Sequence, residues 1–330
     1  MKTALELQKL MNRAGTYKTP FLFVVDYELS NGIFIENPLE NKEVLWRVGS
    51  VTNAPNSHLH PHTPALAETK HGTFLKARPI DYNKYACKFN LLKEQLMLGN
   101  SFLANLTIRT PIETDYTLEE IFHKSTSPYA LLIPNKLVCF SPEIFVKISK
   151  DGTISSNPMK GTISATVENA EQVILSDYKE SAEHYTIVDF IRSDLSRVST
   201  NVKVNKLRYI DCLHTSKGDI LQVSSLISGK LIKKNLGDII FELLPPGSVS
   251  GAPKPSTLNI LKKIEGEPRG FYCGVFGYYN GTSLDSAVMI RYIEKEDDKF
   301  YFRSGGGITI NSSCKDEYNE VIQKIYFPFL

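Results

Sequence analysis

Between Tyr129 and Ser156 the chain offers four strand-length runs with only short turns between them: Tyr129 to Ile133, Lys136 to Phe140, Ile144 to Ser149 and Thr153 to Ser156. Strands joined this closely pair as antiparallel neighbours, because a parallel pair needs a crossover of a dozen or more residues. Ser141-Pro142-Glu143 reads as a tight corner carrying one carboxylate, and Asp151-Gly152 as a hairpin turn. Further blocks of strands lie at Phe21 to Val48, at Val202 to Tyr209 with Leu221 to Ile232, and at Phe271 to Arg303. Strands in blocks with helices between the blocks give an α+β chain with largely antiparallel sheets, not a βαβα rhythm.

The helical stretches are 3 to 12, Tyr82 to Leu98, Leu118 to His123, Val167 to Ser176, Tyr178 to about Val198, Leu236 to Leu243, Pro255 to Ile264 and Ser313 to about Ile325. The second of these sets Tyr85, Phe89, Leu92 and Leu96 on one face, with Gly99 as its C-cap. Ser101 to Arg109 reads as a strand, and Lys299 to Arg303 as one that ends in Ser304-Gly305-Gly306-Gly307 and resumes at Ile308. No linker or repeat divides the chain, which reads as one domain. From Asn53 to Gly72 the pattern dissolves into a loop. Its His58, His60 and His62 have no partner Cys and read as surface residues rather than a metal site.

The 38 basic and 36 acidic residues nearly cancel, so no global field draws the chain to nucleic acid or to a membrane surface. Five scattered cysteines without a C-x-x-C pair fit a reducing cytoplasm and exclude a disulfide framework. No apolar run reaches membrane-spanning length, and Glu6 and Lys9 stand where a signal peptide needs an apolar core. A soluble cytoplasmic protein is expected.

Chemistry concentrates in the second half. Lys160 sits between Pro158-Met159 and Gly161, a rigid turn presenting one amine. Glu180 with Glu183, and Glu317 with Glu320, each lie three apart on one face of a helix. If those helices face each other the carboxylates repel unless a hard cation such as Mg²⁺ neutralises them. Ser304-Gly305-Gly306-Gly307 at a strand end suits an anion nest. No Walker or dinucleotide loop is present, and Gly247 to Gly251 has Val249 where a serine hydrolase needs its nucleophile.

In this order the motifs resemble the chorismate-utilising enzymes, which include anthranilate, aminodeoxychorismate, isochorismate and salicylate synthases. The stretches that carry the resemblance are Pro158-Met159-Lys160-Gly161-Thr162, Lys179-Glu180-Ser181-Ala182-Glu183-His184, Ile187 to Leu195, Gly247 to Lys254, and Ser304 to Ile308 followed by Glu317-Tyr318-Asn319-Glu320. The resemblance covers about residues 80 to 326. It implies two largely antiparallel sheets packed as a sandwich with helices outside, a shortened N-terminal region over 1–80, a catalytic core over 81–326, and chorismate bound between the sheets through Mg²⁺.

Within the family, anthranilate synthases look like P-I-A-G-T where aminodeoxychorismate synthases look like P-I-K-G-T, and this chain has Lys160. The resemblance therefore implies amination of chorismate at C4 on the way to 4-aminobenzoate and folate. Lys160 would be the nucleophile at C2, its pKa lowered by burial and nearby charge, and Glu143 the acid that protonates the leaving hydroxyl. It further implies Glu183 and Glu320 as Mg²⁺ ligands with Glu180 and Glu317 beside them. Thr162, Arg291, Gly305, Gly306, Gly307 and Lys324 would bind substrate.

Ammonia would come from a separate glutamine amidotransferase subunit, since no Gly-x-Cys-x-Gly turn is present; Cys273 has Tyr272 before it and Gly274 after it. Leu103 replaces the lysine that activates water in isochorismate-type members. Gln222 replaces a histidine of the common H-L-V-S stretch, and the L-L-E-S element of tryptophan-regulated members is absent. Anthranilate or isochorismate synthesis, and a catalytically silent partner subunit, are the alternatives. Lys160 opposes the first, Leu103 the second, and the full set of carboxylates with the lysine opposes the third.

Overall fold

The computed structural model describes residues 1–54, 74–215, 218–327 and 329, so the loop holding His58, His60 and His62 lies outside the described residues. In chain order the first half runs β1 (Lys2–Thr3), α1 (Ala4–Tyr17), β2 (Phe21–Val25), β3 (Asn31–Glu36), β4 (Leu45–Val48), β5 (Val51–Thr52), β6 (Leu75–Ala77), α2 (Tyr82–Met97), β7 (Leu103–Thr114), α3 (Leu118–Lys124), β8 (Tyr129–Ile133), β9 (Leu137–Ser141), β10 (Ile144–Ile148) and β11 (Thr153–Ser156). It continues through β12 (Met159–Ser164), α4 (Ala170–Ser176), α5 (Tyr178–Ser196), β13 (Ser199–Thr215), β14 (Gly218–Leu231), α6 (Leu236–Leu243), a 3₁₀ turn at Gly247–Val249, β15 (Gly251–Ala252), α7 (Lys254–Glu265), β16 (Val275–Tyr279), β17 (Leu284–Val288), β18 (Tyr292–Glu296), β19 (Lys299–Thr309) and α8 (Cys314–Gln323).

The strands form two sheets in which the described pairings are antiparallel. The first runs β1-β3-β2-β16-β17-β10-β11-β14-β12, with β13 also on β14; the second runs β15-β7-β19-β18-β9-β8-β4-β5, with β6 on β7. Tyr129, Leu131 and Ile133 of β8 join Phe23, Val25, Val275 and Ala287 in the core between the sheets. Ala130 and Leu132 turn the other way, onto Ile121 and Phe122 of α3. Because both faces are covered, β8 is apolar without alternation.

A third cluster packs α2, α7 and α8 onto β7 and β19 through Tyr85, Phe89, Leu261, Val321, Leu106 and Ile308. This layer fixes α8, which bears Glu317 and Glu320. On the other sheet α5 buries Val188 and Leu195. Its N-cap is Asp177, whose carboxylate accepts from the Glu180 amide at 2.8 Å, a contact that stabilises a helix by about 1 kcal/mol. Among the described residues no helix is long and apolar enough to cross a membrane.

Three sequence expectations change. The expected strand from Ser286 to Glu294 is two strands, because the chain leaves the first sheet after β17 and joins the second at β18. The expected break at Ser304 to Gly307 does not occur: β19 runs through it, paired with β7 from Phe300↔Ile112 to Thr309↔Leu103. A Cβ on Gly305 would stand 2.7 Å from the Leu106 carbonyl, so glycine here admits a close neighbouring backbone rather than forming a nest. Lys160 is not in a turn but on β12, where the pairing steps from Met159↔Ser224 to Thr162↔Gln222 and leaves one extra residue on β12. That is a bulge, with Gly161 at φ 80°.

Candidate active site

Two segments cross side by side from one sheet to the other: Pro142-Glu143 between β9 and β10, and Met289-Ile290-Arg291 between β17 and β18. They are laced by the Val288 amide donating to the Glu143 carbonyl at 3.1 Å and the Phe140 amide donating to the Arg291 carbonyl at 3.0 Å. Arg291 takes φ 53°, a left-handed conformation that sharpens the crossing. The corner read from Ser141-Pro142-Glu143 is thus a sheet switch, and it points Glu143 and Arg291 into one cavity.

The cavity has an inner chamber of about 140 Å³, lined by Leu103, Asn105, Glu143, Lys160, Glu183, Arg291, Gly305 to Gly307 and Lys324 among others. It opens into an outer vestibule of about 610 Å³, which shares Glu143, Lys160, Arg291 and Lys324 and adds Thr162, Glu180, Gln222, Glu320 and Tyr326. Thr162 is exposed at this mouth. Open grooves elsewhere, such as the one of about 880 Å³ along α4, gather none of these residues.

The β12 bulge places the Lys160 ammonium 2.7 Å from Glu183 Oε2, with the lysine side chain 20% and the glutamate 4% exposed. Burial lowers the lysine's pKa, but attraction from Glu183, Glu180 and Glu320 outweighs it and the net direction is upward. The expectation of a lowered pKa is therefore corrected for this arrangement: three carboxylates hold Lys160 as a cation. Glu180 is displaced upward by burial against the pull of Lys160, with Glu183, Glu320 and Asp177 reinforcing burial.

Glu180 and Glu183 of α5 and Glu320 of α8 all lie near enough to Lys160 to act on its charge. Glu317 is 2% exposed, and a Cβ on Gly306 would stand 3.2 Å from its Oε2 and 3.8 Å from Glu320 Oε1. Lys324 caps α8, with its amine 2.6 Å from Glu320 Oε1 and donating to the Gly305 carbonyl at 2.7 Å. Burial moves this amine's pKa down in spite of Glu320. Among the described residues no three acidic, histidine or cysteine side chains close on one point. Lys160 and Lys324 hold Glu183 and Glu320 instead. The acidic side chains here nonetheless offer only oxygen donors, and Mg²⁺ takes one or two carboxylates with waters and substrate oxygens, so its chemistry fits these residues.

Ser248, unremarked in its motif, donates its hydroxyl to Glu143 Oε1. Burial raises the Glu143 pKa, opposed by this hydrogen bond and by Arg291 and Lys324. Tyr326, from the segment after α8, accepts from Arg291 Nε at 3.0 Å and lies under the guanidinium, 5.3 Å from ring centroid to Cζ. No sequence signal marks Tyr326. His184 is 1% exposed, 2.7 Å from Ser225 Oγ through Nε2, and burial with Arg208 and Lys160 nearby brings its pKa down to about 4. Ser225 in turn donates its amide to the Pro158 carbonyl at 3.0 Å, tying α5 to the approach of Lys160. Leu103 is 4% exposed in the inner chamber, and Gln222 is 6% exposed behind the vestibule.

The profile of the chorismate binding enzyme family matches residues 18–329. An uncharacterised PabA-like protein of Haemophilus influenzae is 45% identical over 320 residues, covering 96% of this chain and 94% of that protein. Aminodeoxychorismate synthase component 1 of Bacillus subtilis is 30% identical over 76% of this chain, which spans 56% of that protein. The fold matches the menaquinone-specific isochorismate synthase MenF of Escherichia coli with a TM-score of 0.74 over 98% of this chain and 81% of that one, at 15% identity. With the profile spanning nearly the whole chain and the cavity lined by the motifs that first suggested the resemblance, the chain belongs to the chorismate-binding enzyme family.

Proposed function

We propose that the chain aminates chorismate at C4, the activity of aminodeoxychorismate synthase component I. One observation carries this reading: a lysine amine, Lys160, stands in the wall shared by the inner chamber and the vestibule. At that motif position the resemblance puts alanine in anthranilate synthases.

In the proposed course the neutral Lys160 amine attacks C2, both double bonds of the ring diene shift by one position, and the C4–O bond breaks. Glu143 gives its proton to the departing hydroxyl, which leaves as water. Ammonia then bonds to C4, both double bonds shift back, and the C2–N bond to Lys160 breaks. Two displacements across the diene replace one poor direct displacement. The burial of Glu143 favours the protonated form that this role needs.

Lys160 must lose its proton before attack. Drawing Glu183, Glu180 and Glu320 away from it removes what raises its pKa and leaves burial, which lowers it. Glu183 and Glu320, with Glu180 and Glu317 beside them, are the residues that would hold Mg²⁺. When bound, Mg²⁺ supplies positive charge for a substrate carboxylate. Arg291 and the β19 backbone at Gly305 to Gly307 would orient the carboxylates of chorismate, with Lys324 and Thr162 nearer the mouth. The ammonia would come from a separate glutamine amidotransferase subunit.

Incubation with chorismate, Mg²⁺ and an ammonium salt, followed by chromatography with and without a lyase that forms 4-aminobenzoate, tests the reading. The expected product is 4-amino-4-deoxychorismate. Anthranilate or isochorismate as the main product rejects it.

A further inference from the structure

We propose that Arg269 and Glu265 are positioning residues that set the separation of two walls of the inner chamber; the proposal rests on the chorismate reading of that chamber. Arg269 is 1% exposed and lines neither chamber nor vestibule. Its guanidinium donates from Nη1 to the Val249 carbonyl at 2.7 Å and from Nη2 to the Asn105 carbonyl at 2.6 Å. It also grips Glu265 with Nε on Oε2 at 2.9 Å and Nη2 on Oε1 at 2.7 Å. The same Glu265 Oε1 accepts from both the amide and the hydroxyl of Thr107, each at 2.9 Å.

These acceptors and donors belong to the walls. Val249 and Asn105 line the inner chamber, and Asn105 and Thr107 are the β7 partners of Gly307 and Gly305 on β19. The loop and strand also meet directly, through the Asn105 amide on the Ser250 carbonyl at 2.9 Å. One ion pair thus holds the 247–251 loop on one side and the strand that backs the glycines on the other.

The local sequence builds the pair. Glu265 ends α7, Gly266 turns the chain at φ 76°, and the next residues return Arg269 over its own helix end. The Arg269 and Gly270 amides are held by the Glu28 carboxylate at 2.8 and 3.0 Å, and the guanidinium lies 4.3 Å from the Tyr27 ring centroid. Cohesion alone does not require two buried charges, because apolar residues of similar volume fill a core as well. A planar fork with several fixed donors does what they cannot, which is to place separate backbone segments in one geometry.

Arg269→Lys keeps the charge and loses the fork. The chorismate KM is expected to rise roughly tenfold with kcat changed far less, as looser walls weaken substrate placement. Hydrogen–deuterium exchange of the substrate-free protein should quicken at 247–251 and 303–309 while β8 and β9 stay protected. Thr107→Val removes only the hydroxyl bond to Glu265 and should move both readouts the same way, by roughly two- to threefold. A lowered Tm with unchanged KM and unchanged local exchange overturns the proposal. Should Arg269→Lys not fold, Thr107→Val decides alone, and no change there overturns it. If the wild type does not turn over chorismate, the functional reading fails, while the exchange comparison still decides whether the pair holds these walls.

Discussion

The Lys160 ammonium and the Glu183 carboxylate meet at 2.7 Å across two elements that have no local reason to touch, a bulged strand and the buried face of α5. The pairing makes the lysine's charge state depend on what else engages Glu183. Glu183→Gln keeps the shape and removes the charge. It should raise the Mg²⁺ concentration needed for half-maximal activity by roughly 10–100-fold, measured by titrating the metal at saturating chorismate. An unchanged Mg²⁺ requirement would contradict the proposed Mg²⁺ role of Glu183.

In its proposed role Glu143 would act as an acid only while protonated, so activity should fall as pH rises through its elevated pKa. The Ser248 hydroxyl stabilises the ionised form and lowers that pKa. Ser248→Ala should therefore move the falling limb of the kcat profile upward, by roughly one pH unit. A limb that stays in place, or moves down, contradicts the partnership.

The glycines of β19 make separable predictions. A Cβ on Gly305 meets backbone at 2.7 Å, so Gly305→Ala must shift a strand and should cost about 1–3 kcal/mol in denaturant unfolding. A Cβ on Gly306 meets only the Glu317 and Glu320 side chains, at 3.2 and 3.8 Å. Gly306→Ala should fold with nearly unchanged stability but need more Mg²⁺, because the added methyl displaces carboxylates. Equal loss of stability in both would refute the distinction.

The sequence made most elements legible where one face of a helix or a hairpin turn dominates: α2 and β8 lie within a residue of expectation. Antiparallel sheets followed from turn spacing. What failed was long-range. The strand at Ser286 to Glu294 divides because its neighbours lie in different sheets, and β19 passes through its glycines because β7 pairs with it that far. β17 and β18 each have a local hairpin partner, but the neighbours that assign them to different sheets, β10 and β9, and the β7 partner of β19 are far away in sequence and leave no local signal. In the site, the i, i+3 carboxylate pairs were readable from their spacing; Glu180, Glu183 and Glu320 act on the charge of Lys160, while Glu317 lies beside Gly306. The direction of the Lys160 pKa was not readable, since it is the balance of burial against three charges on other elements. Ser248, Tyr326 and Arg269 were missed because their partners, Glu143, Arg291 and Val249, are 105, 35 and 20 residues away.

The most direct test of the account is the rate of C4 amination by Lys160→Ala with chorismate, Mg²⁺ and ammonium, in protein verified as folded. Loss of the nucleophile should lower that rate by at least about 100-fold relative to the wild type. Amination at the wild-type rate would contradict covalent participation of Lys160, and with it the mechanism.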